Sequence, residues 1–212
     1  MKFIMAYSGG KDCTLALDMM LRQGHTCKAL LVSASEKGTW SHMHAFHKDI
    51  LKQYSESLNI PLIFSNGKDK HDVIALLKAL NEAKEKYQIE ALCTGDIDLP
   101  EIRSFNESIS KKAGIKAIFP LWHKDRKECL NEFWNLGYTC HIKAVDTRYL
   151  PESYLGKELN KSLIPDFEKL NIDICGEFGE YHTMVNNGPI FSKEIPLNFK
   201  RIFRNGHNSF LI

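Results

Sequence analysis

One short stretch of the chain holds residue types whose order could grip a phosphate. It reads Ser8-Gly9-Gly10-Lys11-Asp12-Cys13. Two adjacent glycines let the backbone turn sharply and approach a ligand where a Cβ would intrude. A turn that opens into a helix leaves several N–H groups pointing outward. They add to the partial positive charge of the helix N-terminus. Such a nest suits a polyanion, and phosphate above all. Lys11 adds a full positive charge. Asp12 is out of place against phosphate, so it suits a Mg²⁺ ion or a hydroxyl donor instead. The spacing is neither G-x-x-x-x-G-K-[ST] nor G-x-G-x-x-G, so the loop does not imply γ-phosphate transfer or a dinucleotide. The plainer alternative is a glycine turn with a surface Lys-Asp pair.

The elements around the hexapeptide favour the site. Phe3 to Tyr7 is a short apolar run that reads as a buried strand, and Thr14 to Arg22 is apolar nearly all round, as a buried helix is. The loop thus lies between a first strand and a first helix. The same rhythm continues, with strands expected at Ala29–Val32, Pro61–Phe64, Glu90–Thr94 and Lys116–Pro120. Helices are expected at His44–Leu58, Asp72–Tyr87 and Glu101–Ala113. This alternation implies a parallel sheet with helices on both faces. Right-handed crossovers put the strand C-termini on one edge, where ligands bind near the point of strand-order reversal. After about Lys124 the rhythm changes. A further helix is expected at Asp125–Leu136 and a strand at Thr139–Val145, followed by shorter pieces rich in Gly, Pro and Asn. The division that follows is a nucleotide-type domain over 1–125 and a smaller, partly β domain over 126–212.

Composition excludes several classes. The 212 residues are 43% apolar and 25% charged, as in an ordinary folded protein rather than a disordered tail. Lys and Arg total 28 against 26 Asp and Glu, a net charge of +2, so no global field draws the chain to nucleic acid or anionic lipid. No apolar run approaches the roughly 20 residues of a membrane span, and the apolar start is too short for a signal peptide. A cytoplasmic location is the expectation. The six cysteines form no C-x-x-C, so structural zinc and dithiol redox chemistry are not indicated; free buried thiols are expected.

Ser8-Gly9-Gly10-Lys11-Asp12-Cys13 resembles the PP-loop, S-G-G-x-D-[ST], of the ATP pyrophosphatases. Cys13 departs from that pattern, and Thr14 is the neighbour that could supply the missing hydroxyl. Further matches follow in order: Met43-His44, Gly95-Asp96, Pro120-Leu121-Trp122, Val145-Asp146 with Arg148-Tyr149-Leu150, and Gly176-Glu177-Phe178-Gly179-Glu180-Tyr181-His182-Thr183. Together they are similar to the diphthine–ammonia ligase family, over about residues 4–192. The resemblance implies a Rossmann-like (HUP-type) α/β sheet and a smaller C-terminal α+β domain. It implies ATP and Mg²⁺ as cofactors, with ammonia and a carboxylate as the other substrates. ATP adenylates the carboxylate, releasing pyrophosphate, and ammonia displaces AMP to leave an amide.

Residue by residue, the resemblance assigns catalysis to Lys11, Asp12 and Glu180, with Asp12 on the metal. It assigns ATP binding to Ser8, Gly9, Gly10, Lys11, Asp12, Cys13, His44, Gly95 and Asp96. It assigns the acceptor to Arg148, Glu177, Gly179, Glu180, His182 and Thr183. Glu177 and Glu180 could hold Mg²⁺ or ammonium, or accept a proton from ammonia; solvated acids in a turn are the alternative. A core or capping role is the alternative for His44 and a helix cap or turn for Asp96, and Trp122 reads as packing rather than an adenine stack. Members tied to diphthamide carry Gly and Glu where this chain has Phe178 and His182. The acceptor is therefore open between diphthine on elongation factor 2 and a small-molecule carboxylate. No nucleic-acid or membrane partner is expected, and a homodimer is among the assemblies the sequence allows. Two other readings compete. One is a PP-loop sulfur transferase acting on RNA, with Cys93 and Cys175 as thiols that could meet in space. The other is a module that binds nucleotide without turnover.

Overall fold

The computed structural model describes residues 1–42 and 44–212; Met43 of the Met43-His44 pair lies outside the described residues. The first apolar run forms β1 (Lys2–Ala6), and the strands β2 (Thr26–Ser35), β3 (Leu62–Gly67), β4 (Ala91–Cys93) and β5 (Lys116–Ile118) follow. They form one parallel sheet in the order β3-β2-β1-β4-β5. The order reverses between β1 and β4, so the crevice for a ligand opens where the chain leaves these two strands.

The crossover helices are α1 (Lys11–Arg22), α2 (Lys48–Leu58), α3 (Val73–Tyr87) and α4 (Pro100–Ala113). Strand side chains alternate in direction, and the two faces carry different helices. Phe3, Met5, Leu30 and Val32 pack with Leu15 and Leu17 of α1 and Leu51 and Tyr54 of α2. Ile4, Ala29 and Leu31 pack with Leu80 and Ala83 of α3 and Ile109 and Ala113 of α4.

The remaining elements are α5 (Arg126–Asn135), β6 (Thr139–Asp146), α6 (Ile164–Lys169), β7 (Tyr181–Asn187), β8 (Ile202–Asn205) and β9 (Asn208–Leu211). Their strands form a second sheet, antiparallel, in the order β7-β6-β9-β8. The α1–α2 face of the first sheet and this second sheet share one apolar cluster, which runs from Phe3 through Phe133, Ile142, Phe167 and Val185 to Ile195. The fold class read from the sequence holds: a parallel α/β sheet covered on both faces, with a smaller α+β part.

The element boundaries differ in instructive places. Asp72 and Asp125, read as first helical residues, are N-caps whose carboxylates accept from the N–H groups of Ala75 and Glu128. The second helix does not begin at His44. It begins at Lys48, with His47 as its cap and the His47 imidazole accepting from the Asp49 N–H. Antiparallel bridges precede it instead, Ala34 with Ser41 and Trp40 with His47, and the Ser41 hydroxyl accepts from the Phe46 N–H at 3.0 Å. No helix among the described residues is long and apolar enough to cross a membrane. The six cysteines are free, and all but the half-buried Cys27 are buried.

Candidate active site

The hexapeptide leaves β1 at the reversal point and enters α1. Gly9 has φ +78°, a region that L side chains rarely adopt, and a Cβ there would stand 2.9 Å from the Phe46 ring. The Gly9 carbonyl is held from two sides. The Val185 N–H donates to it at 2.9 Å, and the Tyr54 hydroxyl donates at 3.2 Å. Tyr54 also donates to the Val185 carbonyl at 2.5 Å, so one buried phenol ties the loop to β7. Gly10 is the N-cap of α1 and has no side chain to satisfy the first-turn N–H groups. They remain for an anion, apart from that of Lys11, which donates to the Thr183 hydroxyl at 3.0 Å.

Lys11 is buried, at 3% exposure. Its ammonium donates to both Asp12 oxygens, at 2.9 and 2.7 Å, and to the Cys175 carbonyl at 2.5 Å. Burial alone would lower its pKa. The negative charge of Asp12, with smaller contributions from Cys175, Tyr181 and Glu177, overcomes this and holds it well above the usual lysine range. Lys11 is thus a fixed cation.

Cys13 is held as a thiol. Burial pushes its pKa up, and its sulfur donates to the Gly10 carbonyl at 3.2 Å, with the Ser8 hydroxyl 3.4 Å away. A nucleophilic role is therefore not supported. Thr14 does not supply a hydroxyl to the loop mouth either. Its side chain donates back to the Gly10 carbonyl at 2.8 Å and lies against the Tyr7 hydroxyl.

Gly95 follows β4 and backs directly onto the start of α1. A Cβ there would lie 2.7 Å from the Asp12 carbonyl carbon and 2.7 Å from the Cys13 nitrogen. Backbone cannot yield as a side-chain tip can. Gly95→Ala should therefore cost about 1–3 kcal/mol. The measurement is a melting curve, with a fall in Tm of several degrees expected. Asp96 accepts from the Asn106 amide at 2.9 Å. Burial raises its pKa, and the Asp12 charge adds to the effect. It is not a helix cap, since α4 is preceded by Leu99.

The closing motif faces the hexapeptide. His44 and His182 stack at 4.7 Å with their planes 26° apart. A Cβ on Gly10 would stand 2.8 Å from the His44 ring. Burial holds both imidazoles neutral: His44 is pushed well below the usual histidine range, and His182 down to about 4. His44 Nδ1 is buried and has no hydrogen-bond partner among the described residues.

The two glutamates have different tasks. Glu180 is 4% exposed, and both its oxygens are taken by backbone. Oε1 accepts from the Asp173 N–H at 3.0 Å and Oε2 from the Phe178 N–H at 3.1 Å. It clamps the 173–180 loop. Glu177 is the carboxyl that senses the loop. Burial pushes its pKa up to about 8, Asp12 and Asp173 push the same way, and Lys11 and Arg126 oppose them.

Gly179, at φ +87°, makes the turn between them. Phe178 is exposed and lies under the Arg126 guanidinium, 5.0 Å away. Arg126 also pairs with Asp98 and Asp173, joining the β4 side to this loop. Arg148 is not brought into the cluster. It folds onto Asp146 and the Tyr149 ring at the surface, and makes no contact with the hexapeptide among the described residues. Trp122 packs against Phe119 and under Arg103, as a packing residue would.

Two residues that matter here were not singled out as functional by sequence, and a third was named only as a thiol. Tyr54 was legible only as apolar helix spacing, although a buried tyrosine hydroxyl usually finds a partner. Asp173 organises the glutamate loop by accepting from the N–H groups of Cys175 and Glu177. Cys175 acts through its carbonyl, which no side-chain pattern reports.

Comparison with known proteins follows the same two regions. Residues 1–117 match the family model for the diphthamide synthase N-terminal domain, and residues 125–211 match that for the diphthamide synthase C-terminal domain. A protein of Schizosaccharomyces pombe named diphthine–ammonia ligase is 28% identical over 95% of this chain. A human protein of the same name is 25% identical over 99% of it. The chain spans 37% of the yeast relative's length and 88% of the human one's. Among solved structures, a predicted subunit of tRNA methyltransferase from Methanocaldococcus jannaschii aligns over 92% of the chain and all of its own, at 16% identity and a TM-score of 0.46. With two family models in register along nearly the whole sequence, and the loop and glutamate segment placed face to face, the chain belongs to the diphthamide synthase family.

Proposed function

We propose that the protein is an ATP-dependent amide ligase that forms AMP and pyrophosphate, with ammonia as the nitrogen donor. The observation that carries this reading is the convergence at Lys11. One buried cation sits at the mouth of a phosphate-type loop and is held by Asp12 and by the carbonyl of the glutamate loop. The 1–125 part would hold ATP, and the 126–212 part would present the acceptor. The names of the relatives support diphthine on elongation factor 2 as the acceptor. Phe178 and His182 keep a small-molecule carboxylate as the alternative.

The chemistry balances as follows. An acceptor carboxylate oxygen attacks the α-phosphorus of ATP, and the bond to the pyrophosphate oxygen breaks. Ammonia then attacks the acyl carbon, and AMP leaves. Lys11 and the first-turn N–H groups stabilise charge on the departing pyrophosphate. His44 Nδ1, which lacks a partner among the described residues, would hydrogen-bond the nucleotide. Glu177 takes the proton that nitrogen must lose, for which a pKa near the working pH suits it.

Magnesium fits the residues present. Among the described residues no trio of His, Cys, Asp or Glu is set to hold a metal alone. Mg²⁺ bound with a nucleotide usually takes only one or two carboxylates, with phosphate and water completing its shell. Asp12 would hold it, and it would neutralise phosphate charge.

The sulfur-transferase reading loses support. Burial pushes the pKa of all six thiols up, whereas a persulfide carrier works through its thiolate. Phosphorus NMR of the protein with Mg-ATP, ammonium and elongation factor 2 bearing diphthine tests the proposal. AMP and pyrophosphate that appear only with all components are expected; ADP and phosphate would overturn it.

A further inference from the structure

A cavity of about 520 Å³ opens between the α2 start and the last strand of the second sheet. Its walls include Phe46, Met184 and Phe199. Lys143 enters it from β6. This side chain is 2% exposed, and its ammonium has no hydrogen-bond partner among the described residues. Two ring faces lie near it, Phe46 at 5.3 Å and Phe199 at 5.7 Å. Burying an ammonium without an acceptor is costly, and two cation–π contacts offset only part of it. Burial alone lowers the Lys143 pKa to about 8, which agrees with a site lacking a counter-charge.

The mouth adds charge of the same sign. Lys200 and Arg201 line it, and Asp49 is the acidic side chain in the lining. Asp49 already faces His47 at 3.2 Å and Lys52 at 3.9 Å. The lining therefore carries more positive than negative charge around an apolar body. The volume lies within the range of small-molecule sites.

The cavity is next to the hexapeptide but not part of it. Phe46 is the shared wall, since the same ring touches Gly9. Lys11 and Glu177 are absent from its lining.

We infer that this cavity is a binding site for an amphipathic monocarboxylate, with its apolar or aromatic body against Phe46, Met184 and Phe199 and its carboxylate paired with Lys143. The pair would satisfy the orphaned ammonium, and the body would displace water from apolar walls. This site is separate from the nucleotide site of the proposed reaction, so its test needs no turnover.

Isothermal titration of the full chain with 4-phenylbutyrate and with octanoate is the experiment, with neutral 4-phenylbutanamide as the control. At least one acid should bind below 1 mM, and the amide at least tenfold more weakly. Lys143→Met should weaken the acid at least tenfold, and saturating Mg with a non-hydrolysable ATP analogue should not displace it. Should Lys143→Met fail to fold, Lys143→Gln gives the same comparison. The inference is overturned if neither acid binds, if the amide binds as well, or if the neutral variant keeps its affinity. Displacement by the nucleotide also overturns it, because the cavity would then belong to the ATP site.

Discussion

Lys11→Met should reduce AMP formation by about three orders of magnitude while the protein stays folded. Removing one preorganised electrostatic contact to a charge that develops in the transition state costs about 10²–10³ in rate. Lys11 should reach the upper end because it is a buried full charge rather than a dipole. Its ammonium is also the link between Asp12 and the Cys175 carbonyl, so its loss frees the glutamate loop from the hexapeptide. Methionine keeps the length and the apolar stem, and leaves Asp12 with no fixed cation. Single-turnover rates with Mg-ATP check this, with near-ultraviolet circular dichroism as the folding control. A loss of less than tenfold would remove Lys11 from the charge-stabilising role.

Glu177→Gln should reduce turnover by about 10²–10⁴, the usual range for a positioned proton acceptor. The pH profile separates this from a structural effect. The base must be ionised to accept a proton, and burial puts the Glu177 pKa near 8. Parent activity should therefore climb through that region, and the variant should lose the climb. Stability should move the opposite way. A carboxyl whose folded pKa is raised adds stability that is fully present below its unfolded value and is lost as pH rises through the folded one. At pH 4 the two proteins should melt alike. At pH 9 the variant, which has no charge to bury, should melt higher. If about 1 kcal/mol is relieved, the difference is about 2–4 °C for a chain of this size. A variant less active yet no more stable at pH 9 would show that Glu177 is not held in a desolvated site.

Much of this arrangement was legible in the residues. Strand and helix alternation gave the parallel sheet because a buried parallel strand needs an unbroken apolar run, and each run here is flanked by an amphipathic helix. The hexapeptide was legible as the link between the first strand and the first helix, because it follows an apolar run and opens a helical one. The starts at Asp72 and Asp125 were off by one residue because a capping aspartate looks like a first-turn aspartate. The start of α2 was missed by four residues because Phe46 and Ile50 fall at helical spacing, while Ser41 and the bridges claim the segment between. Glu177 and Glu180 could not be told apart from spacing. What separates them is which one meets the N–H groups of Asp173 and Phe178, and loop curvature decides that. Lys143 is invisible for a related reason. Within Thr139–Asp146 it stands between apolar neighbours, as an outward-facing strand residue would, but the register shift between Ile142 and Ala144 breaks the alternation there. β8 and β9 are short, and exposed β8 carries almost no apolar pattern to read.

The apolar cluster that runs unbroken from Phe3 to Ile195 has a bearing on how the protein could move during a reaction. Enzymes that close by swinging one lobe onto another need a seam that can be opened and resealed at small cost, usually a modest and rather polar one. Here the seam is the interior itself, pinned at the hexapeptide by Tyr54, Thr183 and Lys11. Parting the lobes would mean wetting that interior. Any opening at small cost is then left to short segments at the rim. Breathing in this molecule is a matter of lips rather than of jaws.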